Sequence, residues 1–246
     1  VKIVGSIFDA RVRVMELEES PDITFDQVGG LDAEIEEARA LTGTHHIKLG
    51  WDDWTVSFDR PGVELDFGAV GKGVALDSAA AALRQCGVLS GLIHGGTSSA
   101  TAIGTHGDSR GWRVAVADPY DPGRALAETW LYDSSLGVSC NAGKTVVRNG
   151  EVVGHIIDPR TGRPAQGAVL AAVAARDAAF CDAFSTALVV LGEEGLEIPE
   201  LCSGAVSCLV ALRRGDGGLN IVTTGSYWQG ESPGPLIPEQ EGISEP

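Results

Sequence analysis

The chain has 246 residues, a formal net charge of −16 and a sequence pI of about 4.6, and 43% of its residues are hydrophobic. This composition predicts a substantial buried core in one large domain or two small ones. The acidic charge argues against binding to nucleic acid or to an anionic membrane. A phosphate-bearing ligand would therefore have to be held locally, by backbone amides, a lysine or a metal ion.

The first predicted elements are a helix and a hairpin. Apolar residues recur on one helical face across 31–41, and Gly43 suits the C-cap of that helix. Alternating residues over 54–68 predict a strand or hairpin, with its turn at Pro61–Gly62.

Two further helices and a series of strands follow. An alanine-rich helix of about a dozen residues is predicted to begin near Val74 and close at Gly87. A later helix is predicted between Asp177 as N-cap and Gly192 as C′ residue. Apolar stretches predict strands within 88–96, 100–104, 112–119, 124–132, 136–140, 152–158, 167–175, 204–214 and 219–224.

These elements predict the α+β class, with a mixed or antiparallel sheet and helices packed on it. We expect residues 1–44 to be a short N-terminal part of the same domain and residues 45–228 to be the catalytic domain. Residues 229–246 are acidic and contain prolines, so we expect a disordered tail.

The five cysteines are Cys86, Cys140, Cys181, Cys202 and Cys208. Their odd number and the absence of a CxxC pair predict free thiols in a reducing compartment, with Cys86 and Cys181 as small core residues. The sequence contains no apolar run of the roughly 18 residues needed to span a membrane. A cytoplasmic location is favoured, and a periplasmic or membrane-anchored one is the alternative if a segment precedes the first residue.

The first stretch that could form part of a functional site is "DFGAVGKGVALD", residues 66–77. Its glycines let backbone amides approach a ligand, the following helix directs its positive end at them, and Lys72 adds a charge. These features describe a phosphate cradle, although a glycine-rich turn with a solvated lysine explains the same residues.

A second stretch, "HGGTSSA" at 94–100, places hydroxyls after paired glycines. A serine nucleophile at Ser98 or Ser99 is conceivable, but the G-x-S-x-G elbow is absent and a hairpin turn explains the pattern as well. His94 has an equally plain interpretation as a structural histidine.

Two further stretches offer a metal ligand pair and a base. Asp182 and Thr186 lie four residues apart, so on a helix they share a face and can bind a hard cation such as Mg²⁺. His155 is a candidate general base, with Asp158 or Arg160 to orient it or to clamp a phosphate. Alternatively, Thr186 only bonds back to the preceding helical turn, and the stretch around His155 and Asp158 is an ordinary Asp-Pro turn.

Five stretches in order resemble the ApbE-type flavin transferases (FAD:protein FMN transferases). They are "DFGAVGKGVALD", "GLIHGGTSSATAIG", "WRVAVADP", "GHIIDPRTGRP" and "DAFSTALVVLG", and the resemblance covers roughly residues 45–212. It implies an α+β domain that binds FAD and Mg²⁺. It further implies transfer of FMN to a Ser or Thr hydroxyl of a target flavoprotein, with release of AMP.

The resemblance also assigns roles to residues. It places the metal on Asp182 and Thr186, with the carbonyl of Gly71 as a further ligand, and it makes His155 the base for the acceptor hydroxyl. The implied flavin-nucleotide pocket contains Gly71, Lys72, Asp77, His94, Gly95, Gly96, Thr97, Ser139, Asp158 and Arg160.

Other functions remain open. An FAD pyrophosphatase would release FMN and AMP without an acceptor, and a catalytically impaired homologue would only bind flavin. The sequence "SCNAG" at 139–143, where Ser-Thr-Ser-Gly is commoner in the family, and the weakly matched N-terminal part favour the impaired homologue. A serine hydrolase built on Ser98 or Ser99 is the most distant hypothesis.

Overall fold

The structure is a computed structural model that describes residues 32–121, 123–141, 145–148, 151–198, 200–202 and 205–229. The predictions for residues 1–31 and for the acidic tail from residue 230 onward lie outside these ranges. The helices are α1 (Asp32–Ala40), α2 (Gly71–Gln85) and α3 (Ala178–Leu191), with short 3-10 helices at Thr44–His46 and Gly192–Glu197. The strands are β1 (Ile47–Gly50), β2 (Thr55–Phe58), β3 (Gly91–His94), β4 (Ser99–Ile103), β5 (Trp112–Ala117), β6 (Ala125–Leu131), β7 (Ser135–Cys140), β8 (Thr145–Arg148), β9 (Glu151–Gly154), β10 (Ile157–Asp158), β11 (Arg163–Pro164), β12 (Leu170–Ala175), β13 (Ser207–Arg213), β14 (Leu219–Thr224) and β15 (Trp228–Gln229).

The largest sheet has six strands in the order β14-β13-β12-β7-β4-β3, and all neighbouring pairs are antiparallel. A three-stranded antiparallel sheet, β15-β6-β5, packs on one face, and α3 packs on the other with α2 beside it. The remaining strands form three antiparallel two-stranded sheets, β1-β2, β8-β9 and β10-β11. The predicted α+β class with an antiparallel sheet and packed helices is confirmed.

Strand β12 lies at the centre of the core. All six of its residues are buried: Leu170, Ala172 and Ala174 contact the cluster under the small sheet, whereas Ala171, Val173 and Ala175 contact the cluster under α3. Side chains alternate between the two faces of a strand, so a strand covered on both faces must be apolar throughout. This constraint explains the uninterrupted sequence LAAVAA.

The three predicted helices are present at the expected positions, but some of their observed ends differ from the predicted ones. Helix α2 begins at Gly71, three residues before the predicted start, so the Gly-Lys-Gly run forms its first turn. Gly87 follows its C-terminus with a φ of 82°, as predicted. Helix α1 ends at Ala40, and the prediction of Gly43 as its C-cap is wrong because Gly43 instead precedes a 3-10 turn.

The predicted turn at Pro61–Gly62 does not join paired strands. Strand β2 pairs with the upstream strand β1, so the hairpin turn comprises residues 51–54. Asp53 stabilises this turn, because its Oδ1 accepts hydrogen bonds from the backbone N–H and the hydroxyl of Thr55 at 3.3 and 2.8 Å. The alternating pattern identified the second strand correctly but not its partner.

A buried histidine joins this hairpin to α1. His46 is 2% exposed, with Nδ1 2.9 Å from Asp59 Oδ1 and Nε2 3.0 Å from the carbonyl oxygen of Ala40. The Ala40 carbonyl also accepts a hydrogen bond from Arg60 at 3.1 Å. The last carbonyl of α1, which has no partner within the helix, is therefore satisfied by side chains.

Two glycines allow α3 to approach its neighbours closely. A Cβ at Gly137 of β7 would lie 2.5 Å from the carbonyl carbon of Cys181, and a Cβ at Gly73 of α2 would clash with the carbonyl oxygen of Ala178. Real Cβ atoms do not tolerate such distances, so any side chain at either position would push α3 away. Backbone contact of this kind is one reason for glycine inside a strand or helix.

The five cysteines are free, as predicted, but only part of the prediction about their burial is correct. Burial raises the pKa of the Cys181 thiol to about 12 and that of Cys208 to about 11, so both are inert core residues. Cys86 is exposed, because it follows the last turn of α2 rather than facing the core. No helix in the described ranges is both long and apolar enough to cross a bilayer.

Helix α3 receives its N-terminal cap from α2. Both carboxylate oxygens of Asp77 accept backbone hydrogen bonds, from the N–H of Ala178 at 2.8 Å and of Ala179 at 2.9 Å. Asp177 occupies the predicted N-cap position, yet its side chain makes no capping hydrogen bond. A carboxylate at this place satisfies donors that lack intrahelical partners and complements the helix dipole.

We predict that Asp77→Ala lowers the free energy of unfolding by about 1–2 kcal/mol, because it removes the cap of α3. Urea denaturation followed by circular dichroism measures this loss. The matched control is Asp177→Ala, for which we expect a change within about 0.5 kcal/mol. Equal losses in the two variants would show that Asp77 is not the effective cap.

Candidate active site

The site is built around one buried carboxylate. Asp182 lies in α3 and is 1% exposed. Its Oδ1 accepts a hydrogen bond from Lys72 Nζ at 2.9 Å, and its Oδ2 accepts one from the backbone N–H of Gly73 at 3.1 Å. A carboxylate is buried at acceptable cost only when it is paired and hydrogen-bonded. The predicted metal ligand and the predicted phosphate cradle therefore meet at one group.

Three hydroxyl groups surround the next turn of α3. The hydroxyls of Ser185 and Thr186 both donate to the carbonyl oxygen of Asp182, at 3.0 and 3.2 Å. Ser139 Oγ, from strand β7, lies 2.8 Å from Ser185 Oγ and 2.9 Å from Thr186 Oγ1. Asp182 and Thr186 thus share a helix face as predicted, and Ser139 joins them from the sheet.

The first turn of α2 brings positive charge to this cluster. The N-cap residue of α2 is Val70, whose side chain makes no capping hydrogen bond. The Gly73 N–H already points at Asp182, and the side chain of Lys72 is 43% exposed while its ammonium reaches the same carboxylate. Helix N-termini carry partial positive charge, so this turn and Lys72 together favour an anionic ligand.

The turn at residues 94–97 lies against α2. A Cβ at Gly95 would be 3.3 Å from Cδ1 of Leu76, which is one helical turn beyond Lys72 on the same face. Gly96 has a φ of 77°, the left-handed conformation that favours glycine, and both His94 and Thr97 are exposed. The turn therefore borders the side of α2 that carries Lys72.

The buried hydroxyl of Ser99 gives no support to a serine nucleophile. Its Oγ makes no hydrogen bond to any residue that the structure describes. A serine nucleophile needs a base within hydrogen-bonding reach. The hydrolase hypothesis thus lacks its base at this residue.

His155 follows strand β9 and is exposed. Its neighbour Gly154 touches the end of β7, since a Cβ there would lie 2.5 Å from the carbonyl oxygen of Asn141. Asn141 also donates from Nδ2 to the carbonyl of Ala165 at 2.7 Å, which ties the end of β7 to the segment after β11. These contacts place His155 beside the end of β7 that carries Ser139.

Asp158 and Arg160 pair with each other. Arg160 donates from its backbone N–H and Nε to Asp158 Oδ1, both at 2.9 Å, and from Nη2 to Oδ2 at 2.8 Å. The guanidinium of Arg160 holds the pKa of the Asp158 carboxyl below its usual value. This ion pair closes the turn after β10, where Gly162 N–H also donates to the Asp158 carbonyl at 2.8 Å.

The predicted residues therefore form one cluster with two flanks. Asp182, Thr186, Ser139 and Lys72 lie in direct contact, the 94–97 turn borders α2, and His155 lies beside the end of β7. The carboxylate of Asp77 is used as the α3 cap, one turn along α2 from Gly73. Its place in a nucleotide pocket stays a prediction, as do the ligand roles of the other residues.

The donor set fits Mg²⁺ better than a metal that is held by protein ligands alone. Among the described residues no group of three or more His, Cys, Asp or Glu side chains could hold a metal ion. Mg²⁺ characteristically binds through one or two carboxylates and completes its shell with water and substrate phosphates. Asp182 provides such a carboxylate, and the Thr186 hydroxyl directs its proton at a carbonyl, leaving oxygen lone pairs for a cation.

Three residues of this region are not predicted as site residues from the sequence. Ser185 and Asn141 join the cluster and the end of β7 through hydrogen bonds that no spacing rule predicts. Gly137 permits the contact between β7 and α3. A glycine within an apolar strand pattern is a signal for close backbone approach, so Gly137 was detectable.

Comparison with known proteins identifies the family. The sequence matches the ApbE family over residues 12–210. It is 41% identical over 140 residues to a FAD:protein FMN transferase of Rhodobacter capsulatus, covering 57% of this chain and 26% of that protein. A FAD:protein FMN transferase of Salmonella typhimurium is 31% identical over 167 residues, covering 66% of this chain and 47% of that protein.

Solved structures agree with the sequence match. The flavin transferase ApbE from Vibrio cholerae superposes with a TM-score of 0.66 at 25% identity, covering 84% of this chain and 63% of that one. The ApbE protein from Thermotoga maritima gives a TM-score of 0.67 at 28% identity, covering 76% and 60%. The chain spans about half or less of the length of the FAD:protein FMN transferases from Rhodobacter capsulatus and Salmonella typhimurium. On this evidence the chain belongs to the ApbE family.

Proposed function

We propose that this protein is a Mg²⁺-dependent enzyme that transfers FMN from FAD to a Ser or Thr hydroxyl of a target flavoprotein and releases AMP. The observation that carries the proposal is the contact of Lys72 and the first turn of α2 with the buried carboxylate of Asp182. This contact joins a site for a hard cation to a site for anionic oxygens. Relatives named FAD:protein FMN transferase support the same reaction.

The proposed reaction is a displacement at phosphorus. The acceptor oxygen bonds to the phosphorus of the FMN half of FAD, the bond from that phosphorus to the bridging oxygen breaks, and AMP leaves with that oxygen. Such transfers depend on positioning and charge neutralisation more than on covalent catalysis. When bound, Mg²⁺ would neutralise pyrophosphate charge and polarise the reacting P–O bond.

The residues of this chain have separate tasks in the proposal. Asp182 and Thr186 would hold the cation, with the carbonyl of Gly71 as a further ligand. Lys72 and the N–H groups at the start of α2 stabilise negative charge that develops on the phosphate oxygens. The 94–97 turn and Ser139 line the nucleotide pocket.

His155 is proposed as the general base. It would remove the proton from the acceptor hydroxyl as the oxygen attacks phosphorus. The ion pair of Asp158 with Arg160 and the bond from Asn141 to Ala165 fix the turn around it, which limits its movement. These contacts support a positioned histidine rather than a mobile one.

The direct test follows AMP release from FAD with Mg²⁺, with and without an acceptor protein that carries a Ser/Thr flavinylation motif. Flavin fluorescence of the acceptor in a denaturing gel is read in parallel. The proposal predicts AMP together with a fluorescent acceptor band. AMP at equal rate without acceptor would identify an FAD pyrophosphatase, and FAD binding with no AMP would identify an impaired homologue.

We predict that Asp182→Asn lowers the Mg²⁺-dependent transfer rate by at least about 10²-fold, because the substitution removes the charge that holds the cation. Asparagine keeps an acceptor for the Gly73 N–H, so circular dichroism should show a folded protein. Asp177→Asn makes the same charge change just before the start of α3 and should retain the wild-type rate. An unaltered rate in Asp182→Asn would refute the metal assignment.

We predict that His155→Ala lowers the transfer rate by about 10²–10⁴-fold, with FAD affinity largely retained, because it removes the base and not a binding group. Fluorescence quenching of FAD measures the affinity. His106, at the opposite end of β4 from the 94–97 turn, provides the control variant His106→Ala. A loss of FAD affinity as large as the loss of rate would instead make His155 a ligand contact.

A further inference from the structure

We propose that Lys72 is an internal substitute for the metal: its ammonium holds Asp182 when no divalent cation is bound, and entry of the cation releases it toward the substrate pyrophosphate. This inference rests on the proposed function, because it assumes that Asp182 is a metal ligand. It adds a step to that function, in which one positive charge replaces another at the same carboxylate.

The ammonium of Lys72 occupies the place that a metal on Asp182 would need. Lys72 Nζ lies 2.9 Å from Asp182 Oδ1, while the other carboxylate oxygen is held by the Gly73 N–H. A cation that binds Asp182 through Oδ1 would have to take the position that the ammonium fills. A divalent ion and an ammonium side by side repel each other strongly in a partly buried site, so each weakens the binding of the other to that oxygen.

The two partners of this ion pair differ in their freedom to move. The side chain of Asp182 is 2% exposed and is fixed by α3, by Gly73 and by its burial. The side chain of Lys72 is 43% exposed, and its four-carbon stem has several rotatable bonds. When a metal arrives, Asp182 stays in place and Lys72 swings outward, where the N-terminus of α2 meets solvent.

Asp182 also needs a positive charge beside it before any metal binds. An uncompensated buried carboxylate strongly destabilises a fold. The protein exists without metal at some stage, and Lys72 supplies the charge in that state. The same side chain then becomes available to the pyrophosphate only after the cation is bound, which predicts that the metal binds before Lys72 engages the substrate.

A purely structural ion pair predicts the opposite effect on metal affinity. If Lys72 only positioned Asp182, its removal would loosen the carboxylate and weaken metal binding. If Lys72 competes with the metal, its removal frees the carboxylate and strengthens binding. The sign of the change therefore separates the two roles.

The experiment measures Mn²⁺ binding to the full chain without FAD, by isothermal titration calorimetry and by electron paramagnetic resonance of free Mn²⁺. We expect Lys72→Met to bind Mn²⁺ about tenfold more tightly than the wild type, because a competing charge is gone. Arg84→Met is the matched control: it removes one positive charge from the opposite end of α2, where Arg84 pairs with Asp133 at 3.0 Å. Its affinity for Mn²⁺ should equal that of the wild type.

Thermal unfolding supplies a second readout. Without metal, Lys72→Met should melt at a lower temperature than the wild type, and saturating Mn²⁺ should remove this difference. Unchanged or weaker Mn²⁺ binding by folded Lys72→Met would overturn the inference, as would the absence of Mn²⁺ binding in both proteins. Because these measurements contain neither FAD nor acceptor, a failure of flavin transfer would not alter the Mn²⁺ affinities that decide the role of Lys72.

Discussion

The burial of the Asp182 carboxylate constrains the architecture around it. Its two oxygens need a donor and a cation within reach, and both come from the first turn of α2. Helix α3 must therefore lie close to α2 and to the sheet, which requires glycine at Gly73 and Gly137. The Asp77 cap then fixes the start of α3 against α2. The same contacts that satisfy a buried charge thus assemble the hydroxyl cluster at the end of β7.

This arrangement explains how so acidic a protein could bind the polyphosphate that the proposed function requires. The overall charge of −16 repels anions, but long-range repulsion is screened by salt beyond about 8–10 Å. Within that distance the Lys72 ammonium and the start of α2 dominate the field, and a cation on Asp182 would add to it. Local placement of a few positive groups, rather than net charge, therefore decides which ligand the site accepts.

Sequence patterns predicted the elements better than their contacts. The boundaries of α3 and the shared face of Asp182 and Thr186 follow from spacing, since helical periodicity is local. Spacing does not predict the partner of β2, because a strand on either side of it could pair with it. Nor does it predict the cap supplied by Asp77 or the pairing of Lys72 with Asp182, because these contacts join residues that are distant in sequence. The predicted start of α2 is three residues late because glycine disfavours a helix locally, whereas in the structure Gly73 allows the close contact with α3.

The most direct measurement is the anomalous scattering of Mn²⁺ in crystals of the protein grown with Mn²⁺ and FAD. We expect an anomalous peak between the carboxylate of Asp182 and the hydroxyl of Thr186, with phosphate oxygens in the coordination shell of the metal. We also expect that Lys72 Nζ has left Asp182 and contacts the pyrophosphate. A metal bound elsewhere, or a Lys72–Asp182 ion pair that persists beside bound metal and FAD, would contradict this mechanism.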